Sequence, residues 1–151
     1  MTLLAQRRAR DPSRYNRDPV KVLALDYGAA RTGVAVSDPT GTVARPLDVV
    51  EKAATPRGIA RVVELARREG AELIVVGMPV TLRGERGAQA EETERFVEAL
   101  RAAADVPVET FDERLTTKLA RQTPARAPED AVAAAHLLAS YLTWQSRRSP
   151  T

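Results

Sequence analysis

Acidic side chains stand at three separated points of this chain where a strand or helix should begin or end, and their types suit hard-cation chemistry. Asp26 follows the apolar run Val22-Leu23-Ala24-Leu25, Asp112 and Glu113 follow the extended stretch from Val106 to Phe111, and Asp130 opens a long alanine- and leucine-rich stretch. Carboxylates that converge in this way hold Mg2+ or Mn2+, and a pair of such ions activates water and stabilises the leaving oxygen in phosphodiester cleavage. With no cysteine and one histidine, His136, thiolate-zinc sites, disulfides and cysteine nucleophiles are excluded. A metal must take oxygen ligands, with His136 the one nitrogen on offer. Asp26 alone has a second reading, since a strand-end aspartate also starts an Asx-type turn.

The elements that would carry these acids follow from periodicity. Val22 to Leu25 reads as a strand buried on both faces, and Gly28 gives the turn after it backbone freedom. Gly33-Val34-Ala35-Val36-Ser37 is a second strand, closed by Asp38, Pro39 and Gly41. Residues 42–50 form a third extended segment interrupted by Pro46, which suits an edge or a bulge. Three strands so closely spaced predict an antiparallel meander. Pro56 and Gly58 open a helix in which Ile59, Val62, Val63 and Ala66 recur at helical spacing up to a stop at Gly70. Leu73 to Val76 is a buried strand ended by Gly77-Met78-Pro79, and residues 80–87 form a polar loop at the kind of sheet edge where ligands bind. Arg83 and Arg86 in that loop are candidates for phosphate contact.

Residues 88–104 read as an amphipathic helix with Thr93, Phe96, Val97 and Leu100 inward and Glu91, Glu92, Glu94 and Glu98 as a solvated face. A helix is expected from Thr116 or Thr117 to a point before Pro124, and the last from about Pro128 to Gln145. In that last helix Asp130 shares a stripe with Ala134, Leu137, Leu138, Tyr141 and Leu142, so its carboxylate is expected to face the sheet. That position favours a ligand over a simple complement to the helix dipole. His136 falls off the stripe and is expected on the surface, while Tyr141 and Trp144 pack the helix end. The glycines after the first strand lack both the lysine-serine ending of a P-loop and the third glycine of a dinucleotide fingerprint.

A chain of 151 residues with 44% hydrophobic content accommodates one well-buried core and is too short for two ordinary domains. The expected organisation is a flexible basic tail over 1–19, a body over 20–145 and a basic tail over 146–151. The first tail carries five arginines against Asp11 and Asp18, and the second carries Arg147 and Arg148. The body is then slightly acidic despite a net charge of +3. Basic arms on an acidic body suit an enzyme acting on a polyanion, or accompany an arginine-, alanine- and proline-rich composition without a partner. No apolar run reaches bilayer length, and no signal-peptide core opens the chain, so a cytoplasmic protein without membrane association is expected.

The motifs DYGAARTGVAVSD (26–38), VVGMP (75–79), DERLTT (112–117) and DAVAAAHLLASYL (130–142), in that order, resemble those of the YqgF family, also called RuvX-type proteins. The likeness spans about Val22 to Leu142. It implies an α/β, RNase H-like fold: a mixed five-stranded sheet with an antiparallel three-stranded start, flanked by helices. It also implies a Mg2+- or Mn2+-dependent nuclease acting on nucleic acid, either in 5′-end maturation of precursor 16S rRNA or as a Holliday junction resolvase. By motif match Asp26, Asp112, Glu113 and Asp130 carry over as catalytic and metal-binding residues, and which of Asp112 and Glu113 ligates is open. Arg31, Arg83, Arg86, Arg114, Thr116 and Arg126 are the candidates for substrate contact. The tract between DERLTT and Asp130 is short for the family, and Arg126 alone represents the basic residue expected before that aspartate.

Three other readings compete with rRNA maturation. Cleavage of branched DNA uses the same chemistry and favours a homodimer with paired sites. A nucleotide-binding relative of the actin and sugar-kinase fold would need a second, similar half. A silent nucleic-acid-binding module would not need all three acidic sites.

Overall fold

The computed structural model describes residues 20–79, 87–115 and 129–148. Strands β1 (Val22–Asp26), β2 (Arg31–Ser37), β3 (Ala44–Glu51), β4 (Leu73–Met78) and β5 (Val108–Asp112) form one sheet in the order β3-β2-β1-β4-β5. β2 runs antiparallel to both β1 and β3, whereas β4 is parallel to β1 and β5 to β4. The antiparallel start and mixed five-stranded sheet therefore agree with expectation.

β3 lies at one edge of the sheet, where the missing N–H of Pro46 breaks no interior ladder. Its register shifts by one residue, with Val34 opposite Asp48 and Ala35 opposite Pro46. Leu47 is the extra residue of this bulge.

Three helices cover the sheet. α1 (Pro56–Glu69) and α2 (Ala88–Ala103) lie on one face, and α3 (Glu129–Arg148) on the other. Strand alternation decides which side chains each receives. Leu23, Leu25, Ile74 and Val76 meet Val62, Phe96 and Leu100, while Val22, Ala24, Val75 and Phe111 meet Ala134, Leu138 and Tyr141.

α1 begins where the Thr55 hydroxyl accepts the Gly58 N–H at 3.1 Å, with Pro56 in the first turn. It stops at Gly70, whose φ of 68° is a left-handed conformation that glycine adopts at no steric cost. Tyr141 and Trp144 pack the far end of α3 as expected, and Phe111 of β5 joins them, edge to face with Tyr141 at 5.4 Å. Among the described residues no helix is long and apolar enough to cross a membrane.

Several expectations change. β5 starts at Val108 rather than Val106 and includes Asp112 as its last residue. α3 continues through Arg148, three residues into the stretch expected as a tail, because no glycine or proline interrupts the helix before Pro150. Glu92 and Glu94 are only half exposed. Glu92 accepts a hydrogen bond at 2.9 Å from the hydroxyl of Tyr27, whose ring stacks on Phe96 at 4.5 Å. This contact, worth about 0.5–1.5 kcal/mol beyond burial, ties α2 to the residue after Asp26. Burial and then the Glu92 carboxylate push the Tyr27 hydroxyl up to about 12. The tail over 1–19, the helix expected from Thr116 or Thr117, and Arg83, Arg86, Thr116 and Arg126 lie outside the described residues.

Candidate active site

Parallel pairing brings the C-terminal ends of β1, β4 and β5 to one sheet edge, and the antiparallel β2 begins there. Asp26, Asp112 and Arg31 therefore share that edge. α3 starts over the same place because β2 carries a glycine there: a Cβ on Gly33 would stand 1.7 Å from the Asp130 carbonyl oxygen. Asp26 and Gly33 are register partners, so this close approach sets Asp130 beside Asp26.

Glu113 follows β5 in a short 3-10 turn (Glu113–Leu115). A second glycine governs its direction, since a Cβ on Gly77 would meet the Glu113 Oε1 at 2.9 Å. The Glu113 side chain thus lies back across β4 toward β1, where its carboxyl comes within hydrogen-bonding reach of Asp26. Asp112 turns the other way. The Arg114 guanidinium donates to both of its carboxylate oxygens, at 3.1 Å and 3.0 Å from Nε and 2.6 Å from the terminal nitrogen, and the Arg114 backbone N–H adds a contact at 2.9 Å. The Arg114 guanidinium holds the Asp112 carboxyl below its ordinary value. Of the two neighbouring acids, Glu113 faces Asp26 and Asp112 is committed to Arg114.

Asp26 is half-buried, and its carboxyl is raised above the ordinary 3.8, first by burial and also by the charge of Asp130, while the hydrogen bond with Glu113 pulls it down. Carboxyls this close do not all ionise without a counter-charge. A hard divalent cation supplies one, so the oxygen donors present fit Mg2+ or Mn2+. As placed, no three His, Asp or Glu side chains among the described residues already surround one point. Asp26 and Glu113 meet, Asp130 acts on Asp26 through its charge, and Asp112 is turned aside.

Asp130 itself differs from expectation. Its side chain is 43% exposed rather than buried against the sheet, and it pairs with Arg31 at 3.3 Å. The backbone of this first turn packs on β2 at Gly33, while the carboxylate reaches only the exposed side chain of Arg31 at the strand's start. Arg31 thus stands as a counter-charge on one of the candidate ligands. An exposed pair of this kind is worth about 0.2–1 kcal/mol, so Arg31→Gln should tighten Mn2+ binding by roughly 1.4- to 5-fold. Titration calorimetry reads this directly, and weaker binding in the variant would show that Arg31 helps to place Asp130.

His136 also departs from the expected surface position. It is half-buried, its Nε2 is buried without a hydrogen-bond partner among the described residues, and it lines a cleft of about 360 Å3 together with Asp26, Glu113, Glu129, Val132, Ala133 and Leu137. The helical spacing of 129, 132, 133 and 136 marks a second flank of α3 beside the core stripe. That spacing was available in the sequence, as were the two glycines that admit Asp130 and Glu113.

Comparison with known proteins bears on the family and the fold. The family described as RuvX, Holliday junction resolvase, matches residues 20–144. A protein of Chloroflexus aurantiacus named "Putative pre-16S rRNA nuclease" is 44% identical over 137 residues, covering 85% of this chain and 88% of the relative. One of Rubrobacter xylanophilus with the same name is 45% identical over 130 residues, covering 81% and 91%. Among solved structures, T. thermophilus RuvC in complex with a Holliday junction substrate superposes with a TM-score of 0.63 at 20% identity, covering 86% of this chain and 97% of that one. The fowlpox virus Holliday junction resolvase gives 0.51 at 12% identity, covering 82% and 99%. At these identities the two structures establish the fold, which is the RNase H-like fold of RuvC.

Proposed function

The chain belongs to the RuvX family, and from that premise we propose that it is a divalent-metal-dependent endonuclease that matures the 5′ end of precursor 16S rRNA in the cytoplasm. Asp26, Glu113 and Asp130 are the residues that would hold Mg2+ or Mn2+. When bound, the cation supplies an activated water and charge stabilisation for the leaving oxygen.

The observation that carries this reading is the convergence of Glu113 on Asp26 across Gly77, with Asp130 brought alongside over Gly33. The names of the relatives favour precursor rRNA as the substrate. The chain's own residues then have separable roles. Asp26 and Glu113 form the floor of the cleft, and the Tyr27-Glu92-Phe96 contact holds the end of β1 against α2. Arg31 balances Asp130 until a phosphate arrives, when its exposed guanidinium can turn to the new anion. Arg114 keeps Asp112 out of the ligand set.

The family's description favours a second reading, resolution of four-way DNA junctions, a reaction that a homodimer with paired sites would suit. Cleavage of a precursor 16S rRNA fragment and of a four-way DNA junction, side by side with Mg2+, Mn2+ or chelator, decides between them. Metal-dependent cutting of the RNA is expected. Cutting of the junction alone would replace the rRNA reading, and cutting of neither would overturn the nuclease.

A further inference from the structure

The turn from β3 to α1 carries an exposed lysine in a backbone conformation that disfavours side chains. Lys52 has φ 48°, and it is the only residue other than glycine with positive φ among those described. Crowding between Cβ and the carbonyl oxygen makes this region unfavourable for a lysine and easy for glycine. A residue that keeps a long cationic side chain at such a point points to work for that side chain.

The place is suggestive as well. The Lys52 N–H donates to the Ala30 carbonyl at 3.0 Å, and the next residue, Arg31, pairs with Asp130 at the cleft. On the other side, a Cβ on Gly58 would meet the Lys52 carbonyl oxygen at 2.3 Å, so the first turn of α1, with Arg57, sits against the same turn. Lys52 and Arg57 are exposed, and neither makes an ion pair among the described residues. From 51 to 57 the one acid is Glu51.

We propose that Lys52, together with Arg57, forms a phosphate-binding rim that leads the substrate's sugar-phosphate backbone from the cleft at Asp26 across the β3–α1 turn. The rim deepens the nuclease reading and rests on it. It recognises phosphate, which RNA and DNA share, and so contributes affinity without sequence preference.

The test is binding rather than cleavage, in an Asp26→Asn background that keeps the nucleic acid intact. The probes are a single-stranded precursor 16S rRNA fragment and a four-way DNA junction, each titrated across a salt series. Lys52→Gly is the informative variant because it removes the charge and relieves the backbone together. It should keep or raise the melting temperature while weakening binding by about 3- to 10-fold and lowering the salt slope by about one. Lys52→Arg should bind as the parent does, and Arg57→Ala should lower the slope by a similar step.

A loss seen with the RNA only, or with the junction only, supports the rim and names the backbone it grips. Unchanged affinity and slope in Lys52→Gly overturn it, as does an equal loss in Arg68→Ala, whose arginine is at the far end of α1. A lowered melting temperature in Lys52→Gly would also overturn it, by showing that the side chain serves folding. Should the Lys52-bearing parent bind neither probe, the nuclease reading falls together with the rim.

Discussion

Asp26→Asn is expected to lower metal-dependent cleavage on the order of 10³-fold while leaving the fold intact. Asparagine keeps the shape and one oxygen but cannot supply the charge that, with Glu113, would hold the cation. The same substitution should not destabilise the protein. The Asp26 carboxyl is raised above 3.8 by burial and by Asp130, so its ionised form is less favourable folded than unfolded. Stability from this group is therefore fully present below the ordinary carboxylate range and is lost as pH rises through the raised value. Asparagine has no such loss. At neutral pH without metal the variant should melt at or above the parent temperature, and the parent should lose the difference on acidification. Full cleavage by Asp26→Asn would refute the assignment of the site.

Gly33→Ala should be the most damaging single methyl addition at this edge. The new Cβ would lie 1.7 Å from the Asp130 carbonyl oxygen and 3.0 Å from the Ala131 nitrogen. Both are backbone atoms, so no rotamer change relieves the clash and the start of α3 must lift away. Overpacking of this severity costs about 3 kcal/mol, which lowers the melting temperature by roughly 6–12 °C in a chain of this size. The lift also carries Asp130 from Asp26, and a misplacement near 1 Å costs about 10²-fold in rate. Thermal melts and cleavage rates should fall together. An unchanged melting temperature would show that α3 does not seat on Gly33.

Much of this architecture was readable from residue order. The apolar runs at 22–25 and 73–76 mark β1 and β4, Pro56 and Gly70 bracket α1, and the four motifs together point to the fold. The fine geometry of the acids was not readable, because it depends on which way side chains turn after the strands end. Asp112 and Glu113 are adjacent, and only the pull of Arg114 on one and the opening over Gly77 for the other separate their directions. The spacing of Asp130 matches the core stripe and predicts a carboxylate facing the sheet, but only its backbone rests on β2 at Gly33, and the side chain turns outward to Arg31 at the strand's exposed start. His136 shows the converse. A residue off the core stripe lines the cleft because α3 has a second flank turned toward the 3-10 turn.

A cation held by Asp26 and Glu113 is central to the proposed chemistry, and the most direct measurement of it is Mn2+ binding by titration calorimetry at neutral pH. The proteins to compare are the unaltered chain, Asp26→Asn, Glu113→Gln and Asp112→Asn. Asp26→Asn and Glu113→Gln should each weaken binding by at least about tenfold, whereas Asp112→Asn should stay within about threefold of the parent, since its carboxylate already belongs to Arg114. Undiminished Mn2+ affinity in Asp26→Asn and Glu113→Gln, or a larger loss in Asp112→Asn than in either, would contradict the account.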